Sequence, residues 1–110
     1  MKRYVAEFLG TAGLLLAVVG SGIAGAQLSD GNTAIALIAN AIATGCGLYV
    51  LITILGPVSG AHFNPAVTAA FWISGDIPLR QGLIYIVVQV AGGISGVLLA
   101  HAMYDVAILQ

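Results

Sequence analysis

Residues Ser59–Thr68 read S-G-A-H-F-N-P-A-V-T, and this stretch interrupts a chain made mostly of long apolar segments. Segment 56–60 (G-P-V-S-G) is expected to stop an incoming helix, because Pro57 lacks a backbone N–H and glycine destabilises helices. Asn64 and Pro65 then supply a helix start, since asparagine is a favoured N-cap and proline is favoured at the first helical position. The sequence therefore predicts two helices separated by irregular backbone.

The helix predicted to start at Pro65 is short. It stays apolar up to Ile73 and then meets the polar turn 74–76, which gives about ten residues and a length of about 15 Å. That is half of a bilayer core of roughly 30 Å. A helix that begins at the midplane leaves irregular backbone at membrane depth, which is tolerated only beside protein or a water-filled cavity. We therefore expect a re-entrant loop and half-helix over about 57–74, with a polar cavity or pore beside Asn64.

The composition indicates a membrane protein. Of the 110 residues, 60% are hydrophobic and 6% are charged, and the mean hydropathy is +1.08. The net charge of −1 offers no basic surface for nucleic acid. The single cysteine, Cys46, cannot form an internal disulfide or a Cys-rich metal site. We expect no metal, because His101 and Asp105 have no further ligand spaced to help them, and no cofactor. No paired nucleophile and base is apparent in the sequence, and we therefore expect no enzymatic activity.

Three apolar segments exceed the ~20 residues that a membrane-spanning helix needs: about 4–26, 33–55 and 81–104. Thr33 is expected to cap the second of them. Together with the half-helix, they predict an all-α membrane protein that forms one domain over residues 1–110.

The first segment could instead be a signal peptide. It follows the basic start Lys2-Arg3, and segment 24–26 (A-G-A) resembles a small-residue cleavage site. The length of the segment and the presence of Glu7 argue against cleavage, because an h-region has only about 7 to 15 apolar residues.

Four polar side chains within the predicted spans need an explanation. Glu7 either faces the bundle interior, where a carboxylate needs partners, or extends to the membrane surface. Gln89 is expected to hydrogen-bond between helices. Asn40 and Thr44 are four residues apart and so share a helical face. Either this face turns toward the loop or pore, or the Thr44 hydroxyl bonds to a carbonyl of its own helix.

The positive charges predict the orientation in the membrane. Three spans and one re-entrant hairpin place Lys2, Arg3 and Arg80 on one side, with Asp30 and Asp105 on the other. The positive-inside rule then predicts a cytoplasmic N-terminus. His101 and Asp105 are expected to be solvated at the far end.

Three motifs together resemble the aquaporin and glycerol-facilitator family. H-F-N-P-A-V-T at 62–68, after S-G-A, resembles that family's first Asn-Pro-Ala loop. A-E-F-L-G-T at Ala6–Thr11 resembles its first helix, and Y-I-V-V-Q-V-A-G-G at Tyr85–Gly93 resembles its third. The resemblance covers nearly the whole chain but only the first of the family's two repeats. It implies three transmembrane helices with one re-entrant half-helix, facilitated diffusion, a homotetramer with one pore per subunit, and a bacterial inner or plasma membrane.

The expected pore residues lie at the break. The N-terminus of the half-helix carries about half a positive elementary charge, which repels cations. Asn64, beside Pro65 and Ala66, can cap this helix with its oxygen while its NH2 group donates to a passing solute. Unpaired backbone carbonyls would supply acceptors along one wall; we expect these from Gly60, Ala61, His62 and Phe63.

Two of the expected roles concern single side chains. The resemblance implies that Glu7 faces inward and accepts hydrogen bonds from the Asn-Pro-Ala loop, which would brace the irregular backbone. His62 either contributes only its backbone carbonyl or acts as a pH gate, since histidine titrates near neutral pH. The first of these two roles is favoured, because a lone histidine is weak evidence for a switch.

Position 44 is expected to influence which solutes pass. Counted back from Ser59-Gly60, Thr44 falls where water-selective members of the family carry a bulky aromatic residue. A threonine at this position predicts a wider opening, similar to the opening in those branches of the family that pass glycerol or neutral metalloid acids such as arsenite.

The second Asn-Pro-Ala half-helix and the family's arginine do not occur in residues 1–110. We therefore expect the chain to be the N-terminal half of a two-repeat pore. The alternative is a non-conducting half-repeat that pairs with another chain. An ion-coupled transporter segment is disfavoured, because Asp76 lies at the wrong end of the half-helix.

Overall fold

The structure is a computed structural model that describes residues 1–104. It contains four helices and, within those residues, no strand: α1 (Lys2–Leu28), α2 (Thr33–Ser59), α3 (Pro65–Ile73) and α4 (Leu79–Tyr104). Helices α1, α2 and α4 are long and apolar enough to cross a membrane. Helix α3 has 9 residues and is therefore about 14 Å long. The predicted all-α fold with three spans and one half-helix is confirmed.

Helix α1 lies between α2 and α4 and packs against both of them. It runs parallel to α4, because Arg3 Nη1 donates to Gln81 Oε1 (2.8 Å) near one end, while Gly20 approaches the Tyr104 ring near the other. The half-helix α3 packs on α4. This arrangement makes α1 the central helix of the described chain.

Helix α2 runs antiparallel to α1. Ser21 Oγ donates to Asn40 Oδ1 (2.7 Å), and closer to the start of α1 the side chain of Leu51 lies beside Gly13. The chain therefore returns along α2 to the end where it began. As predicted, residues 2, 3 and 80 share one end of the bundle and Asp30 lies in the turn at the other, while Asp105 lies outside the described residues.

The end of α2 differs from the expectation that segment 56–60 would stop the helix at about residue 55. Helix α2 continues through Pro57 to Ser59. Proline removes only one donor from the helical ladder, and the ladder resumes where Gly60 N donates to Gly56 O (2.8 Å). The helix stops at Gly60, whose φ of 90° is a left-handed conformation that glycine adopts readily.

The other observed helix ends differ from the predicted ones by about two residues, or half a helical turn. Helix α1 starts and ends two residues outside the predicted range of 4–26, and α4 starts at Leu79 rather than at residue 81. The N-cap of α2 is Asn32 and not Thr33, because the side chain of Asn32 accepts from Ile35 N (3.1 Å). An asparagine can reach the free N–H groups of the first turn as well as a threonine can.

Two glycines allow α1 and α4 to pack closely. A Cβ atom on Gly92 would overlap the carbonyl oxygen of Phe8, and one on Gly96 would overlap that of Ala12. Because both obstacles are backbone atoms, no side-chain rotation can relieve the overlap. Small residues at such positions let membrane helices approach where no hydrophobic effect drives them together.

We predict that Gly92→Ala and Gly96→Ala each destabilise the protein by about 1 to 3 kcal/mol, because the added methyl group forces the helix backbones apart. The measurement is the apparent melting temperature in detergent, followed by size-exclusion chromatography. The matched control is Gly93→Ala, whose Cβ would lie 3.8 Å from Leu15 and Thr11, an ordinary contact distance. Equal melting temperatures for all three variants would contradict the proposed close packing.

Candidate functional site

The connection from α2 to α3 is a tight loop of strained backbone. Gly60, Ala61 and Phe63 have φ angles of 90°, 54° and 52°. Residues other than glycine adopt this left-handed region at a cost of order 1–3 kcal/mol each, so surrounding contacts must hold them there. His62 and Phe63 of this loop are buried, and the Phe63 ring packs directly against Gly10 of α1 and leaves no room for a Cβ there.

The Glu7 side chain of α1 holds this loop. It is completely buried, and four donors converge on its two oxygen atoms. Oε1 accepts from Phe63 N (2.9 Å) and Gln89 Nε2 (2.8 Å), while Oε2 accepts from His62 N (3.2 Å) and from the Ser59 hydroxyl. Glu7 therefore faces the bundle interior and satisfies two backbone N–H groups that the unwound loop would otherwise leave unpaired.

A chain of hydrogen bonds continues from Glu7 to α3. The second hydrogen of Gln89 Nε2 points to Thr68 Oγ1 (2.9 Å), and the same hydroxyl lies 2.9 Å from His62 Nδ1. Because Thr68 Oγ1 accepts from Gln89, its own hydrogen is free to be donated to His62 Nδ1. Helices α1, α3 and α4 are thus tied together through side chains that are almost entirely buried.

The His62 ring is held by aromatic neighbours. It stacks on Phe71 with ring centroids 4.6 Å apart and meets the ring of Tyr85 edge-on at 5.0 Å. The Tyr85 hydroxyl donates to the carbonyl oxygen of Ser59 (2.7 Å), which is one of the free carbonyls at the end of α2. The side chain of His62 therefore helps to pack the loop, in addition to any role of its backbone carbonyl.

Asn64 at the end of the loop and Pro65 and Ala66 at the start of α3 are exposed. Asn64 caps α3, because its Oδ1 accepts from Ala66 N (2.7 Å), and Pro65 is the first helical residue. Within residues 1–104 the Asn64 NH2 group has no hydrogen-bond partner. This cap commits the oxygen of the amide and leaves its donor free, as the sequence predicted.

The free amide borders a groove of about 510 Å³ between α1, α4 and the loop. We call it the Asn64 groove, and its lining includes Thr11, Leu15, Phe63, Asn64, Gln89 and Gly93. Within the described residues, the backbone carbonyls of Gly60, Ala61, His62 and Phe63 accept no hydrogen bond, so they remain available as acceptors.

The two polar residues of α2 lie away from the loop. Asn40 is bonded to Ser21 of α1, so it faces α1 rather than the break. Thr44 is half-buried and does not line the Asn64 groove, and among residues 1–104 its hydroxyl makes no hydrogen bond, not even to its own helix. Its expected place at the outer constriction stays a prediction. Among the same residues no group of three or more His, Cys, Asp or Glu side chains could hold a metal ion.

Three residues of the hydrogen-bond network were not predicted from the sequence: Ser59, Thr68 and Tyr85. A spacing signal was present for two of them. Tyr85 lies four residues before Gln89, and Thr68 lies four residues after Asn64, so each shares a helical face with a residue already singled out. The role of Ser59 depends on the continuation of α2 past Pro57, which the local sequence did not predict.

Comparison with known proteins extends over nearly the whole chain. The family model described as "Major intrinsic protein" matches residues 1–109. Aquaglyceroporin AqpS of Rhizobium meliloti (strain 1021) is 56% identical over 104 residues, which cover 94% of this chain and 44% of that protein. Aquaporin-2 of Rhizopus delemar is 32% identical (99% and 34%), and aquaporin TIP1-2 of Zea mays is 39% identical (89% and 39%). The chain thus spans less than half the length of these relatives.

We predict that Glu7→Gln destabilises the protein by about 2 to 4 kcal/mol, because an amide NH2 group would face donors and leave them unpaired. The apparent melting temperature in detergent measures this loss. The matched control is Asp76→Asn, which makes the same change at an exposed carboxylate bonded to Ser74. A Glu7→Gln protein as stable as the Asp76→Asn protein would contradict the bracing role.

Proposed function

This chain belongs to the major intrinsic protein family, and we propose that it forms the N-terminal half of a channel for facilitated diffusion of water and small uncharged solutes. One observation carries the proposal: the Asn64 amide stands free at the start of a half-helix, and its position is set by the buried Glu7 network. The three long apolar helices support residence in a membrane.

The site can exchange a solute's hydration for protein hydrogen bonds. Asn64 offers an N–H donor, and the carbonyls of residues 60–63 offer acceptors, which suits a hydroxyl group that both donates and accepts. The partial positive charge at the start of α3 opposes cations. No covalent step and no energy source are needed, which fits a channel rather than an enzyme.

The permeant is proposed to include glycerol and neutral acids such as arsenite as well as water. Two observations support this range. The relative that is 56% identical is named an aquaglyceroporin. In addition, Thr44 is small and polar, and at the proposed outer constriction it would leave a wide opening.

The chain is proposed to complete its pore with a second aquaporin-like repeat, in the same polypeptide or in another chain, within a homotetramer. We place the N-terminus on the cytoplasmic side of a bacterial inner or plasma membrane. The shared end of Lys2, Arg3 and Arg80 supports this orientation through the positive-inside rule.

The test is stopped-flow measurement of proteoliposomes that contain the protein at its native length, with empty liposomes as reference. An outward osmotic gradient reports water, and uptake assays report glycerol and arsenite. Permeability above that of empty liposomes supports a channel. If the protein inserts correctly and none of the three permeates, the chain is a non-conducting half-repeat.

We predict that Asn64→Asp lowers solute and water permeability roughly five- to tenfold while α3 still folds. Aspartate keeps the capping oxygen but lacks the N–H donor, and losing one hydrogen bond costs about 1 kcal/mol. The matched control is Asn32→Asp, which changes the N-cap of α2 at the opposite end of the bundle. Equal permeability of both variants and the unmodified protein would refute the role of Asn64.

We predict that Thr44→Phe strongly reduces glycerol and arsenite uptake and largely spares water, because a bulky ring would narrow the proposed outer constriction. The same liposome assays measure the change. Thr53→Phe is the control, since Thr53 lies on the same helix, is exposed, and bonds only to the carbonyl of Tyr49. Unchanged glycerol uptake by the Thr44→Phe protein would place this residue outside the constriction.

A further inference from the structure

A groove of about 330 Å³ lies between the first turns of α1 and the last turns of α2. We call it the Lys2 groove, and its lining includes Lys2, Val5, Ala6, Leu9, Leu55 and Val58. It shares no lining residue with the Asn64 groove. The Lys2 groove is therefore a separate surface, which the proposed solute path does not use.

The walls of the Lys2 groove form an apolar strip that is open along its length. Val5, Ala6 and Leu9 lie three, four and seven residues after Lys2, so all four residues share one face of α1. The strip rises about 10 Å along the helix from Lys2 to Leu9. Val5, Leu9 and Val58 are 50%, 55% and 46% exposed, so residues 1–104 leave the strip uncovered. In a membrane such a strip accepts a hydrocarbon chain.

A positive charge stands at one end of this strip. Among the described residues that line the groove, Lys2 alone has a charged side chain, and it is exposed. Arg3 extends to the other side of α1, where it donates to Gln81 of α4. The Lys2 ammonium group makes no hydrogen bond or ion pair within residues 1–104. It is therefore available to an anion at the membrane surface.

The acidic residues nearest in sequence and space do not neutralise Lys2. The Glu7 carboxylate is completely buried, and its oxygen atoms already accept from four donors. Asp76 accepts from the Ser74 hydroxyl in the turn after α3, and neither of these two residues lines the groove. The outer end of the Lys2 groove thus keeps a positive charge that the described chain leaves uncompensated.

An apolar strip with a cation at its outer end has the layout of a phospholipid, in which a hydrocarbon chain hangs from a phosphate headgroup. A zwitterionic lipid would cover the strip, but its own cationic group would oppose Lys2. A protein helix in the groove would bury the ammonium group and would have to supply a carboxylate for it. An anionic lipid satisfies both features, because Lys2 stays at the surface while its stem lies along the strip.

We propose that the Lys2 groove binds one anionic phospholipid, with an acyl chain between Leu9 and Leu55 and the phosphate group at the Lys2 ammonium group. The proposed orientation of the chain places this lipid in the cytoplasmic leaflet, whose surface is negatively charged. The lipid covers the strip and neutralises the charge at its outer end. It joins α1 to α2 from the membrane side and takes no part in the passage of solutes.

The first test titrates the native-length protein in detergent with phosphatidylglycerol or with phosphatidylcholine of the same acyl chains, and native mass spectrometry measures the bound lipid. The unmodified protein should bind its first phosphatidylglycerol about fivefold more tightly, the preference that one basic residue near an anionic surface gives. Lys2→Gln should remove this preference. Arg80→Gln, the matched control, makes the same charge change outside the groove lining and should keep it.

Two outcomes of this titration overturn the proposal. A preference that survives in the Lys2→Gln protein shows that Lys2 does not hold the headgroup. A preference that both variants lose equally shows a diffuse attraction to the positive end of the bundle rather than a site.

The second test locates the acyl chain in an experimental structure of the native-length protein, prepared with phosphatidylglycerol that is brominated in its chains. Bromine density between α1 and α2 beside Leu9 and Leu55 supports the proposal. A protein helix in the groove, from a second copy or from another part of the chain, overturns it, and so does a groove without bromine. Water permeability of the same preparation tests the channel separately, because neither outcome for the lipid depends on conduction.

Discussion

The buried carboxylate of Glu7 is the interaction on which the rest of the structure depends. A loop at membrane depth must find partners for its backbone N–H groups inside the protein, because hydrocarbon provides none. Glu7 supplies acceptors for His62 N and Phe63 N, and it is itself satisfied by Ser59 and Gln89. A carboxylate in a membrane is costly when isolated, so these four donors and this one acceptor group stabilise each other.

The central position of α1 follows from the same constraint. Glu7 must reach the end of α2, the loop and α4 at once, and only a helix between α2 and α4 can do so. The close approach at Gly92 and Gly96 brings α4 near enough for Gln89 to reach Glu7. The glycines and the buried carboxylate therefore depend on each other, because the glycines set the short distance between α1 and α4 that the hydrogen bond from Gln89 to Glu7 needs.

Most of the fold could be predicted from local patterns, because hydrophobic length and helix-capping residues act within a few positions. Asn64-Pro65 correctly placed the start of α3. The predicted end of α2 was wrong because Pro57 was expected to stop the helix. The loss of one N–H donor does not end a helix whose backbone hydrogen bonds continue to Gly60. The hydrogen bonds of Tyr85 and Thr68 were not predicted, because they join residues of different helices whose rotations only the packed structure defines.

Two side-chain amides show how the network determines hydrogen-bond character at the site. An unconstrained amide can both donate and accept. Asn64 commits its oxygen to the N-cap of α3 and is left as a donor, whereas Gln89 commits both hydrogens and is left as an acceptor. The two residues border the same groove with opposite capacities. Because backbone and buried groups hold each orientation, neither amide can turn over to suit a different neighbour, and the chemistry offered to whatever occupies the groove is set by the fold.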